Sequence, residues 1–120
     1  MPIPDYETLM LPVLKAAVGG EVAIRDCVAA LSDRFGLTEE EREARLPSGK
    51  QTTFANRVHW ARTYLSQAGL VEPTRRGHFR ITDRGRAVLA ENPVRVDNKL
   101  LLRFAEFESF KRRRNTDETD

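Results

Sequence analysis

Apolar residues recur along this chain at helical spacing in several stretches, and they alternate as strands do in one. Tyr6, Leu9, Met10, Val13, Leu14 and Ala17 share a stripe, which predicts an opening helix with Asp5 as its N-cap. Pro12 falls inside that stripe and has no N–H to return to Thr8, so a kink is expected there. Gly19-Gly20 ends the helix, and Val22-Ala23-Ile24 reads as a short extended piece. Ile24, Cys27, Val28, Leu31 and Phe35 predict a second helix, with Asp26 near its start and Gly36 closing it. In residues 38–45 (TEEEREAR), Thr38 and Glu41 match a capping box, and Glu41 and Arg45 form an i,i+4 pair.

The next helix is expected over about residues 49–68, with Ser48 and Gln51 as a second capping box and Gly69 as its stop. Phe54, Val58, Ala61, Leu65 and Ala68 form its apolar face, with Arg57 and Tyr64 at the edge. The opposite face holds Thr52, Asn56, His59, Thr63 and Ser66, with Thr53, Trp60 and Gln67 beside it. Residues 48–71 contain no acid. Leu70-Val71-Glu72 and His78-Phe79-Arg80-Ile81 then alternate around Pro73-Thr74-Arg75-Arg76-Gly77, which predicts a hairpin with Gly77 at positive φ and two arginines at the tip. Thr82 should cap a helix over residues 83–91, ended by Asn92-Pro93. A last helix is expected over about 97–114, with Leu100, Leu101, Phe104, Phe107 and Phe110 on its apolar side.

This order of elements is that of a winged helix-turn-helix. The expected fold is therefore mostly α with a small β-hairpin, plus a C-terminal helix. Residues 1–92 are expected to form the winged-helix domain. Residues 93–114 are expected to form a C-terminal helix that packs on it or makes a dimer contact. Residues 115–120 carry no apolar side chain and are expected to be a disordered tail or the start of a linker.

Length and composition narrow the class. With 120 residues, 40% apolar and 32% charged, the chain suits one domain with its own core. No apolar run approaches the roughly 20 residues of a membrane helix, and the N-terminus has no basic signal-peptide region, so no membrane association is expected. The single Cys27 excludes an internal disulfide and a cysteine zinc cage. It is read as a small core residue of a cytoplasmic protein. The net charge of +2 is unevenly spread: residues 1–47 carry 5 Lys/Arg and 9 Asp/Glu, 48–86 carry 8 and 2, and 87–120 carry 7 and 7. The middle third can thus form a one-sided positive field.

That positive block coincides with the elements a winged helix aims at a duplex, so double-stranded DNA is the expected partner. Gln51 and Asn56 can pair bidentately with adenine, and Lys50 and Arg57 can reach guanine or phosphate. Thr52 and Thr53 can bond a phosphate at the helix start. His59 lies on the same polar face, and Arg75 and Arg76 at the wing tip can grip phosphates or enter the minor groove. Plainer readings stand beside these. Arg57 can pair with an acid within the fold, Trp60 reads as a packing residue rather than a stacking platform, and His78 reads as structural. Catalysis finds no footing. The two histidines lie on separate elements without partner ligands, so no metal or cofactor is expected. The stretch 46–51 lacks the second glycine of a P-loop. Asp97-Asn98-Lys99 has the acid-x-Lys half of a restriction-type nuclease site but no companion acid on a neighbouring strand.

A set of local matches carries a resemblance: Ile3-Pro4-Asp5-Tyr6, Met10-Leu11-Pro12-Val13-Leu14, Leu37-Thr38-Glu39-Glu40-Glu41 and Leu46-Pro47-Ser48-Gly49. Gln51, Thr52, Phe54, Asn56-Arg57-Val58, Trp60-Ala61, Tyr64-Leu65, Ala68-Gly69-Leu70, Ile81-Thr82 and Gly85 continue it. Together they resemble the N-terminal winged-helix domain of Mrr-type restriction proteins, over about residues 1–110. The resemblance implies that a parent protein joins this domain to a C-terminal PD-(D/E)xK nuclease domain and cuts modified, often methylated, DNA. It also implies that residues 48–59 are where a modified base is sensed. The chain itself would be the non-catalytic reader. Two other classes share the same features. A stand-alone winged-helix transcriptional regulator would bind one operator as a homodimer through the last helix. A winged domain used for protein contact would tolerate neutralisation of Arg75 and Arg76.

Overall fold

The structure is a computed structural model that describes residues 3–119, with side chains through residue 114. Asp5 caps helix α1 (Tyr6–Ala16), its Oδ1 accepting from the Thr8 N–H at 2.8 Å. The helix continues through Pro12. Strand β1 (Val22–Ala23) leads into α2 (Ile24–Arg34), and Gly36 follows with a φ of 62°. Thr38 and Glu41 make the expected capping box at the start of α3 (Glu39–Glu43).

The central helix, α4, spans Thr53–Gln67 and starts four residues later than expected. Its N-cap is Thr52, whose Oγ1 accepts from the Ala55 N–H at 3.2 Å. Residues 45 and 52 form an isolated antiparallel bridge, with the Leu46 N–H donating to Gln51 O at 3.1 Å and the Thr53 N–H to Ala44 O at 2.8 Å. Gly49 turns this loop at a φ of 72°. The backbone bonds that would have wound residues 49–52 into helix instead close a tight loop.

Strands β2 (Val71–Arg75) and β3 (His78–Ile81) form the wing, with Arg76-Gly77 as the turn and Gly77 at a φ of 74°. The register pairs Val71 with Ile81 and Arg75 with His78, with a bulge between Pro73 and Arg75. β1 pairs with the far edge of β3, so the sheet has three antiparallel strands in the order β1-β3-β2. The Ile24 N–H donates to Gly77 O at 2.8 Å, which ties the wing tip to the start of α2. Thr82 caps α5 (Asp83–Ala90), and its hydroxyl donates to Gly69 O at 2.6 Å. Gly85 packs so tightly on the hairpin base that an added Cβ would collide with Leu70 O and lie 2.7 Å from Ile81 Cγ1.

The expected single C-terminal helix is two: α6 (Asn98–Leu101) and α7 (Ala105–Thr119). The break has a packing reason. Leu101 and Phe107 are both fully buried, yet six residues along one helix would point them about 120° apart. Interrupting the helix at 102–104 turns both into the core. The backbone of residues 115–119 is helical where a disordered tail was expected, and Asp120 lies outside the described residues. The core gathers Leu9, Met10, Val13 and Leu14 of α1, Val58, Ala61 and Leu65 of α4, Phe79 of the wing, and Leu101 and Phe107. Each large side chain so buried contributes about 1.5–3 kcal/mol. The fold is mostly helical with a small antiparallel sheet, compatible with a winged helix-turn-helix followed by C-terminal helices.

Candidate nucleic-acid interface

The late start of α4 rearranges the residues expected to read DNA. Lys50 and Gln51 lie in the loop before the helix rather than in its first turn. Lys50 is exposed, and Gln51 is half-buried, its Oε1 accepting from Asn56 Nδ2 at 3.2 Å. The two amides expected to reach bases are therefore joined to each other in the free protein. Thr52 holds the cap, and Thr53 opens the helix half-buried. The N–H groups of Thr53, Ala55 and Asn56 at this end are already bonded, to Ala44 O, Thr52 Oγ1 and Thr52 O, and the first turn carries no acid.

The Arg57 Nη1 donates to Ile3 O at 2.7 Å and to Pro4 O at 3.2 Å. Its position at the edge of the apolar stripe turns that nitrogen toward the N-terminal segment, where it ties α4 to residues 3 and 4. His59 is half-buried, and burial, then the nearby Arg62, hold its imidazole below the usual range. Arg62 was not singled out by sequence reasoning, because it falls between the two faces of α4. Burial lowers its pKa, and its Nε has no hydrogen-bond partner.

At the wing, Arg75 is exposed but paired: its Nε lies 3.1 Å from Glu21 Oε1. The Thr74 hydroxyl, followed by Arg75, holds the Glu21 carboxyl below its usual range. Arg76 is exposed at the turn, and among the described residues its guanidinium makes no ion pair. His78 Nδ1 lies 2.9 Å from Arg76 O, and Arg80 pairs with Glu72, so both support the strand ends. Cys27 is buried, which pushes its thiol up to about 11 and suits a core residue.

A second basic element arrives from α7. Phe107 and Phe110 stack edge-on against Tyr64 of α4, with centroids 5.6 and 5.3 Å away. This contact places Lys111 Nζ 5.7 Å from the Tyr64 ring and Arg114 Cζ 5.0 Å over the Trp60 ring. Residues 111–114 (KRRR) are visible in the sequence as a cationic run, but a count over the whole last third hides them. Within the C-terminal region Leu101 and Phe107 are buried in the core, and Leu100, Phe104 and Phe110 pack against it partly buried. Arg84 adds a further tie, donating to Ala68 O and to Glu106 Oε2, both at 2.9 Å.

The site can therefore offer amide and hydroxyl groups from α4 and its preceding loop, arginines from the wing, and cations from α7. Among the described residues there is no cluster of three or more His, Cys, Asp or Glu that could hold a metal ion. Among them, too, no helix is long and apolar enough to cross a membrane. A family model described as the Mrr N-terminal domain matches residues 6–91. No curated protein and no solved structure matches the chain.

Proposed function

Because the chain belongs to the Mrr N-terminal domain family, and so is associated with Mrr-like restriction systems, we propose that it is the element that binds double-stranded DNA in a modification-dependent system. In this reading the chain recognises DNA and does not cut it; cutting belongs to a C-terminal nuclease domain of a parent protein. One observation carries the reading. α4 has no acid anywhere along Thr53–Gln67, keeps Thr53, Asn56, His59 and Thr63 half-exposed, and is followed directly by a hairpin with Arg75 and Arg76 exposed. A solvated helix surface in a chain that is one-third charged would carry Lys and Glu. Uncharged donors and acceptors with flanking arginines suit base edges between phosphates.

The mechanism follows from the two kinds of contact. Arg76, Lys50 and, once released from Glu21, Arg75 supply phosphate contacts that fix register without reading sequence. Asn56 and Gln51 can exchange their mutual hydrogen bond for one to a base edge, so little polar satisfaction is lost on binding. The test is binding to one duplex in unmodified, N6-methyladenine and 5-methylcytosine forms, with magnesium present and products resolved. Tighter binding to a modified form without cleavage is expected. Equal binding to all three forms, with strong preference for one sequence, would replace this reading with that of a regulator.

A further inference from the structure

Taking a guanidinium out of water without giving it a partner is costly, and folded proteins seldom do so. α4 does so at Arg62. The half-buried Arg57 donates to the carbonyls of Ile3 and Pro4, and the half-buried Arg84 to Ala68 O and Glu106. Arg62 is half-buried too, yet among the described residues it makes no hydrogen bond and no ion pair. Its Nε is shut off from solvent, while its two terminal nitrogens, equally unpartnered, still reach it. Burial alone lowers its pKa, so no carboxylate lies close enough to answer the charge. Arg25 and Arg76 also make no ion pair among the described residues, but both are exposed and water serves them.

Position on the helix says what could answer that charge. At 3.6 residues per turn, Arg62 lies roughly 90° round α4 from the middle of the arc formed by Asn56, His59 and Thr63. His59 precedes it by three residues and Ser66 follows it by four, so its neighbours along that flank are polar and include no acid. A helix about 10–12 Å across nearly fills a major groove roughly 12 Å wide. With the arc turned to the base edges, a side chain a quarter-turn away faces the groove wall, which is a row of phosphates. Arg57, the other arginine of α4, is held by the N-terminal segment. Arg62 has also lost part of its hydration on folding, so less desolvation opposes its meeting an anionic oxygen.

We propose that Arg62 is a phosphate-contacting residue, gripping the backbone of one DNA strand from the flank of α4 while Asn56 and Gln51 face the bases. The assignment rests on α4 lying in the groove of a duplex. It adds to the wing arginines a backbone contact from the helix itself, so that register is fixed on both sides of the reading residues. It also gives the unanswered charge a reason: the free protein carries a cost that the complex removes.

Arg62→Met removes the charge and keeps an unbranched side chain. Duplex affinity should fall by about five- to tenfold at roughly 0.1 M salt, by the same factor for unmodified and modified forms. The slope of log affinity against log salt should become shallower by about 0.9, the share of one phosphate contact. The melting temperature should equal or exceed that of the unsubstituted chain, because an unanswered charge has left a half-buried position. Arg62→Lys, which keeps the charge, should keep the original slope. An unchanged affinity and slope in Arg62→Met overturns the proposal; a lowered melting temperature beside them makes Arg62 a structural residue. A loss confined to one base pair or one modified form also overturns it, since Arg62 would then read a base, as does a slope that Arg62→Lys fails to keep. If the unsubstituted chain binds no duplex, the DNA reading falls and takes this assignment with it. If that chain binds and Arg62→Met binds equally well, this assignment falls alone.

Discussion

The guanidinium of Arg57 reaches 54 positions back along the chain to the carbonyl oxygen of Ile3, at 2.7 Å, and also meets that of Pro4 at 3.2 Å. A cation on the helix proposed to read DNA thus holds the N-terminal segment in place. Arg57→Ala is expected to lower stability by about 1.5–3 kcal/mol, the worth of hydrogen bonds to a charged group. Duplex affinity of the folded protein should change little. Urea unfolding and duplex titration on the same variant check this; unchanged stability with lost affinity would put Arg57 back on the DNA face.

The hydrogen bond between Gln51 and Asn56 makes their substitutions non-additive. Either change to Ala should shift sequence or modification preference by roughly 1–3 kcal/mol. The double variant should lose less than the sum of the singles. Arg75 and Arg76 replaced by Ala should instead weaken binding to every sequence alike and flatten the salt dependence. With roughly 3–6 phosphate contacts, log affinity should fall against log salt with a slope of about −3 to −5. If the two sets of variants behave alike, the division between reading residues and wing is wrong.

Glu21 holds Arg75 in an ion pair, so in the proposed complex it would compete with DNA for that guanidinium. Glu21→Gln should raise duplex affinity several-fold at low salt. Stability should change little, since the pair is exposed. A loss of affinity in this variant would mean that the ion pair positions Arg75 for binding rather than withholding it.

The half-buried His59 resists protonation, chiefly through burial and then through Arg62. Its folded-state pKa lies below the unfolded value near 6.5, so the unfolded chain binds more protons across that interval. Stability is therefore fully present above the unfolded pKa and falls as pH drops toward the folded one. Unfolding by urea on both sides of neutrality should show this loss, and His59→Gln should show less of it. An identical pH dependence in the variant would assign the effect to other groups.

The sequence reveals most where the physics is local. The caps at Asp5, Thr38 and Thr82 need only a side chain and an N–H three residues on, so they are legible directly. Gly77 is legible for the same reason, since the two-residue turn demands its positive φ. At the start of α4 the sequence holds two candidate caps, Ser48 and Thr52. The choice is made by the bridge from Arg45 to Thr52, a pairing outside either local pattern. The partner of Arg57 lies half the chain away, so no spacing rule could reveal it. The break between α6 and α7 is hidden because the apolar spacing there continues; only the need to bury both Leu101 and Phe107 exposes it. The role of Lys111 and Arg114 depends on where α7 docks, which is tertiary information.

Tyr64 meets the rings of Tyr6, Trp60, Phe107 and Phe110, and so joins α1, α4 and α7 at one point. Close-packed interiors pass on displacement instead of absorbing it. A pull or twist applied to the C-terminal helix would therefore reach α4 through this ring.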